Sequence, residues 1–376
     1  MKKYFVATFS LFVITSAVYS QSSKPIVVTR LSQEQQAQRR YNEAIPLYNN
    51  KKYDAAIDYL NDALKMYDGL KEAYILLANI QQDKGQPQEA VKTCMRMLDK
   101  IKNKDTAYYM ISKLYYDMKE YNSALEYAQK AVEFNNSNYL NHWLRATAHY
   151  ALTQYESAVT DFTTAISLNG KEVQDYRALP FDLYNDRGSA NYMAGNYQEA
   201  INDYGEAIRL RTEIQTINNW GEVVNTNGEL ANYYNNRGNA YYASGQLTQA
   251  VEDFSTAIEL DNNSYQAYIN RGIAQMASLN FKEAVDDFSK CIQLNDRLPV
   301  GYNYRGIAYY KMKKYQNAVF EFDKAIMLNP QYGEAYLHRG NAKEMLRQPQ
   351  IACEDWQQAA QLGISKAEDY INNQCK

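Results

Sequence analysis

The chain has 376 residues, with 40 Lys and Arg against 43 Asp and Glu, 7 prolines, 16 glycines and 36 tyrosines. A formal net charge of −3, without a long run of Lys and Arg, argues against a surface that tracks a phosphate backbone, so nucleic acid is not an expected partner. So few prolines and glycines disfavour an all-β chain with many tight turns and favour helices.

The first residues read as a targeting segment. Lys2 and Lys3 precede an apolar run and small residues, with Val18 and Ser20 at the −3 and −1 places of a cut before Gln21. The alternative is a retained anchor helix, but the run from Tyr4 to Tyr19 is short for a bilayer and is interrupted by Thr8, Ser10, Thr15 and Ser16. No cysteine precedes Cys94, so no lipid acceptor lies near the new N-terminus. Residues 1–20 are therefore expected to be a cleaved signal and 21–36 an N-terminal extension. The mature chain is expected to lie outside the cytoplasm, in the periplasm or cell envelope or secreted, with no transmembrane segment left.

From residue 37 the chain repeats itself. Ala56, Ala90, Ala124 and Ala158 are spaced by 34 residues, and so are Ala250, Ala284, Ala318 and Ala352, with Ala200 between the two series. With that alanine at place 20, nine units begin at Ala37, Lys71, Asp105, Tyr139, Phe181, Ala231, Tyr265, Pro299 and Gly333. Two inserts break the beat, residues 173–180 and 215–230, the second carrying Trp220. They either lengthen helices or form a lip at one edge of a groove.

Each unit reads as two helices. Place 8 is small throughout (Ala44, Ala78, Ser112, Ala146, Gly188, Gly238, Gly272, Gly306, Gly340), which lets two helix axes approach. Aromatics fill around that contact at place 4 (Tyr74, Tyr108, Tyr184, Tyr234, Tyr268, Tyr302, Tyr336) and place 24 (Phe162, Tyr204, Phe254, Phe288, Phe322, Trp356). Gly85, Gly195 and Gly245 mark turns, and Pro87 and Pro349 open second helices, where a missing N–H is tolerated.

Period and pattern together resemble the tetratricopeptide repeat, over residues 37–366. The resemblance implies an all-α, right-handed superhelical solenoid of about nine helix-turn-helix units with a C-terminal capping helix, of which 367–376 is the remainder. The first unit departs most: Arg40 takes an aromatic place, and Pro46 should kink or shorten the first helix.

Place 7 is Arg145, Arg187, Arg237, Arg271, Arg305 and Arg339 in six consecutive units, and place 23 is Asp161, Asp203, Asp253, Asp287, Glu321 and Asp355 in the same six. Because each arginine comes with its own acid, a ladder of structural ion pairs is favoured over a row gripping acidic ligands. Cys353 and Cys375 return to the same level if the chain's last helix runs antiparallel to the one before, so a disulfide is expected there. Cys94 and Cys291 read as buried thiols, and His142 and His149, two turns apart, as core histidines rather than zinc ligands. No phosphate loop, nucleophile elbow, HExxH or CxxC is present, so neither an enzyme nor a cofactor is expected.

In the family resembled, the first helices line a groove through places 2, 5, 9, 12 and 13. Place 12 here is Tyr48, Tyr116, Tyr150, Tyr192, Tyr242 and Tyr310 in six units, with Tyr109, Trp143, Asn185, Asn235, Asn239 and Asn303 around it. Rings flanked by amides suit a peptide backbone, which predicts a non-catalytic scaffold for a protein or peptide partner. A glycan- or wall-binding envelope protein is the alternative, since tyrosine and asparagine also suit sugars.

Overall fold

The structure is a computed structural model that describes residues 31–169, 180–217 and 226–375. The signal, the first part of the N-terminal extension, most of the first insert, and half of the second with Trp220 lie outside the described residues. Among the described residues the helices come in nine consecutive pairs with one left over. The first pairs are α1 (Gln33–Asn49) and α2 (Tyr53–Met66), α3 (Lys71–Asp83) and α4 (Pro87–Lys100), and α5 (Asp105–Asp117) and α6 (Tyr121–Phe134). The middle pairs are α7 (Tyr139–Ala151) and α8 (Tyr155–Asn169), α9 (Pro180–Met193) and α10 (Tyr197–Ile217), and α11 (Asn227–Ala243) and α12 (Leu247–Leu260). The last are α13 (Tyr265–Ala277) and α14 (Phe281–Leu294), α15 (Pro299–Lys311) and α16 (Tyr315–Leu328), and α17 (Gly333–Met345) and α18 (Pro349–Gln361), followed by α19 (Lys366–Gln374). Among the described residues there is no strand, and no helix is long and apolar enough to cross a membrane. The chain divides within α3 into two compact units, one ending at Ile80 and the other beginning at Gln81.

In the smaller unit, α1 starts earlier than the repeat does. Ser32 and Gln35 form a capping box, the Ser32 hydroxyl accepting the Gln35 N–H at 3.1 Å and the Gln35 side chain accepting the Ser32 N–H at 2.9 Å. Of the two effects expected of Pro46, shortening does not occur, the helix running on to Asn49. The proline lies in the last turn, where its missing N–H removes a single bond, and its carbonyl accepts both the Asn50 N–H at 3.1 Å and the Asn50 side-chain amide at 2.8 Å. Arg40, in the aromatic place, lies over the Tyr59 ring at 5.3 Å and pairs with Glu43.

The larger unit is a solenoid in which each helix packs on its neighbours in sequence, and first helices of successive pairs also touch. The place-8 glycines explain the close approach. A Cβ on Gly238, Gly272 or Gly306 would come within 2.7, 2.7 and 2.6 Å of Phe254, Phe288 and Phe322, the place-24 rings of the same pair. Each ring is thus seated directly on backbone, and Phe254, Phe288 and Phe322 are at most 1% exposed. Ser112, facing Ala128 rather than a ring at place 24, instead donates to the Ala124 carbonyl at 2.7 Å.

Place 15 has a positive φ in all nine turns, from Lys51 at 58° through Gly195 at 84° to Arg347 at 62°, although only three of the nine residues are glycine. The following N–H reaches back to place 11, as Gln246 does to Tyr241 at 2.8 Å and Asn280 to Gln275 at 2.8 Å. This six-to-one bond closes the helix end whatever the side chain. The second insert lengthens helices at both of its ends: α10 runs on to Ile217 and α11 begins at Asn227. Buried Arg211 joins the two extensions by pairing with Glu229 at 2.5 Å.

Candidate functional site

The arginine ladder is an internal structure. Each arginine pairs with the acid 16 residues later in its own hairpin, most through two parallel bonds: Arg237 with Asp253 at 2.7 and 2.8 Å, Arg271 with Asp287 at 2.9 and 2.7 Å. Arg145–Asp161, Arg187–Asp203, Arg305–Glu321 and Arg339–Asp355 repeat the pattern at 2.5, 2.6, 2.8 and 2.5 Å. A third guanidinium nitrogen then reaches place 25 of the preceding pair: Ser255 from Arg271 at 3.0 Å, Ser289 from Arg305 at 3.1 Å, Asp323 from Arg339 at 2.7 Å. Place-4 tyrosines lie under the cations, Tyr234 beneath Arg237 at 5.3 Å and Tyr336 beneath Arg339 at 5.3 Å. Asp161 is the crowded rung, with His142 at 3.7 Å and His149 at 3.8 Å besides Arg145. Burial alone would raise its pKa, but His142 and Arg145 outweigh burial and hold the carboxyl below its ordinary value.

The remaining candidates divide between packing and open surface. Cys353 and Cys375 form a disulfide with Cα atoms 5.7 Å apart, and the Tyr370 ring of α19 stacks on Trp356 at 5.1 Å. Cys94 and Cys291 are buried, and burial pushes their thiols up to about 12 and about 11, which keeps them unreactive. Among the described residues no three His, Cys, Asp or Glu groups gather as a metal site.

The place-12 tyrosines are half-buried, and five lean on the aromatic ring that opens the second helix of their own pair. Tyr48–Tyr53, Tyr116–Tyr121, Tyr150–Tyr155, Tyr192–Tyr197 and Tyr310–Tyr315 have ring centroids 6.0, 5.4, 5.6, 5.7 and 5.4 Å apart. In the sixth pair that place is Leu247, and Tyr242 remains 38% exposed. Tyr109 packs beside Trp143 against Tyr139, Leu140 and Leu183.

The amides are arranged differently from the sequence expectation of a partner-facing row. The residue at place 5 bonds the residue at place 6 of the next first helix. Asn185 accepts from Asn236 at 3.2 Å and Asn235 from Asn270 at 3.0 Å, while Asn303 Oδ1 meets His338 Nδ1 at 3.1 Å and Asn303 also donates to the Tyr332 hydroxyl at 3.2 Å. Asn303 is only 3% exposed. These three amides therefore join repeats, whereas Asn239 is half-buried on the first-helix surface.

Trp143 continues the same spine, donating its indole N–H to Asp186 Oδ2 at 2.9 Å. Asp186 opens a cavity of about 200 Å³ lined by Tyr116, Thr147, Tyr150, Phe162, Asp186 and Ser189. Burial, more than the nearby charge of Asp182, pushes the Asp186 carboxyl up to about 6. The sequence offered only a weak signal for it: a lone carboxylate at place 6, where other units carry apolar, amide, tyrosine or histidine side chains. A second cavity, about 300 Å³, lies near the C-terminal cap and contains Tyr310, Lys311, His338, Asn341, Lys366 and Tyr370. The two differ in sign, one centred on a carboxylate and the other on two ammonium groups.

Stacked hairpins with a shared first-helix lining define a helical-repeat protein whose variable chemistry lies on one layer. Family models described as tetratricopeptide repeat match residues 47–114, 105–138, 144–212 and 299–332, and one described as TPR repeat matches 238–278. The chain belongs to the tetratricopeptide repeat family. It is 27% identical over 97 residues to serine/threonine-protein phosphatase 5 of Homo sapiens, covering 26% of this chain and 18% of the phosphatase. It is 26% identical over 111 residues to DnaJ homolog subfamily C member 3 of Gallus gallus, covering 29% of this chain and 22% of that protein. The chain thus spans about a fifth of the length of these relatives. The C-terminal part of a TPR repeat-containing protein from Cytophaga hutchinsonii superposes with a TM-score of 0.53 at 18% identity, over 69% of this chain and 98% of that one. That likeness concerns the fold.

Proposed function

We propose that this chain is a non-catalytic protein–protein interaction scaffold that seats a segment of a partner along the first-helix layer of its larger unit, and that it works outside the cytoplasm, in the cell envelope or secreted. The observation that carries the reading is the series of half-buried tyrosines at place 12, ending in pockets and in the exposed ring of Tyr242. Such rings offer apolar area with a polar tip at low entropic cost, which suits segment binding. The Cys353–Cys375 disulfide and the layout of residues 1–20 support export.

The test is photocrosslinking from position 192 in the native envelope, identification of the attached segment, and its affinity for purified variants. Tyr242→Ala should weaken that segment by roughly 1–2 kcal/mol while leaving stability within about 0.5 kcal/mol. Unchanged affinity, or saturable binding to isolated wall polysaccharide with no attached protein, would overturn the reading in favour of a glycan ligand. Fractionation that leaves the protein in the cytoplasm would overturn the export part alone.

A further inference from the structure

The cavity between α5, α7 and α9 has a chemistry that the tyrosine series does not require. The protons of its two aliphatic hydroxyls are used elsewhere: Thr147 donates to the Trp143 carbonyl at 2.7 Å, and Ser189 to the Asn185 carbonyl at 3.0 Å. Ser189 Oγ also accepts the Tyr204 O–H at 3.1 Å, which leaves the Asp186 carboxylate as the charged acceptor on the polar side of the cavity. Its apolar side is aromatic, made by Tyr116, Tyr150 and Phe162. Asp186 is also held in place. The Trp143 indole N–H fixes Oδ2 at 2.9 Å and the Asn185 amide approaches Oδ1 at 3.4 Å, while the adjacent Arg187 turns away to Asp203 at 2.6 Å.

We propose that this cavity is a cation subsite, taking one lysine or arginine side chain of the bound segment between the tyrosine rings with its charge on Asp186. The proposal deepens the scaffold reading and rests on it for the segment, though not for the cation. A cavity of about 200 Å³ holds the equivalent of about six waters at ~30 Å³ each, enough for one long side chain and too little for a stretch of chain. A carboxylate partly withdrawn from water and bordered by aromatic side chains gains more from an organic cation than an exposed acid would.

Occupancy should depend on pH. The groups facing Asp186 are Asp182 and Asn185 on its own helix, Trp143 and Tyr150 on α7, Tyr116 on α5 and Tyr204 on α10; α8 adds the neutral Phe162, and Tyr233 of α11 bonds to Asp182. Asp186 is placed to titrate near pH 6, and the cation needs it ionised. Binding should therefore be about tenfold weaker at pH 5 than at pH 7.5.

The test uses the full chain labelled with ¹⁵N at its indoles, the Trp143 signal being assigned by its loss in Trp143→Phe. Wild type and Asp186→Asn are titrated with n-butylammonium chloride, and separately with n-butanol and sodium chloride. The asparagine retains an acceptor for the Trp143 N–H, so the variant should fold. Expected is a saturable Trp143 shift with butylammonium, at least fivefold weaker in Asp186→Asn and in the pH sense above. An equal response to butanol, an equal response in Asp186→Asn, or no shift would overturn the cation subsite. Partner segments that bind wild type with no preference for Lys or Arg would overturn it too while leaving the scaffold reading intact. A butylammonium site in a protein that captures no segment would sustain the subsite and sink the scaffold.

Discussion

At the scale of single residues, the recurring arginine–acid charge of the larger unit is structural. Asp253 is 8% exposed and holds Arg237, 22% exposed, through two bonds. Its carboxylate raises the arginine's pKa against the opposing effect of burial. Asp253→Ala should therefore cost about 3 kcal/mol, because it leaves a half-buried cation without its acid. Arg237→Met with Asp253→Ala removes both charges and keeps the stem packed on Tyr234, so the double variant should melt above the single one; a lower melting temperature would refute the ladder. His338 and Asp186 make opposite contributions to acid stability. Burial pushes the His338 imidazole down to about 4 from an unfolded value of about 6.5. Its stabilising contribution is complete above pH 6.5 and is lost as pH falls toward 4, because the unfolded chain binds the proton first. Asp186, raised to about 6, is costly when ionised, and that cost disappears as pH falls from 6 toward 4. Relative to wild type, His338→Gln should gain about 2 kcal/mol between pH 6.5 and 4.5, whereas Asp186→Asn should start more stable at pH 7.5 and lose that advantage on acidification. Parallel melting curves across this range would show that neither group is buried as described.

At the scale of the element, the hairpins were legible because one packing solution recurs: glycine against ring, alanine against ring, arginine against acid. The shortening expected from Pro46 did not follow because position within the helix matters more than residue type; in the last turn a proline forfeits one bond, and Asn50 closes the end. The amide spine was not legible either. It links place 5 of one pair to place 6 of the next, and alignment by place never brings Asn185 beside Asn236 or Trp143 beside Asp186. One of the bonds from the arginines to the preceding pair is missing for a visible reason. Where Arg271 and Arg305 reach Ser255 and Ser289 in the preceding pair, Arg237 meets Gly205, and a Cβ there would lie an ordinary 3.6 Å from its Nη1. Gly205→Ser should supply the hydroxyl and also raise helix propensity inside α10, a gain of about 1 kcal/mol. A melting temperature at or below wild type would mean that the site does not admit the bond.

At the scale of the whole molecule, stability in a repeat array is approximately a sum over neighbours, so an end must be sealed where no further hairpin covers it. The last pair uses α19 for this: Tyr370 stacks on Trp356, Ile364 lies where a Cβ on Gly333 would clash at 2.6 Å, and the disulfide ties α19 to α18. The bridge spans 22 residues, for which chain entropy alone gives about 3 kcal/mol. Because α19 contacts α18 at the end of the array, that contribution belongs to the cap and its immediate neighbour rather than to the distant pairs. Reduction should therefore leave α11 to α16 protected in hydrogen exchange while α19 and then α18 lose protection, with the Trp356 emission shifting as its ring is uncovered. Protection lost evenly along the larger unit would show that it folds as one cooperative body; protection unchanged at α19 would show that the Trp356–Tyr370 stack suffices without the covalent bond.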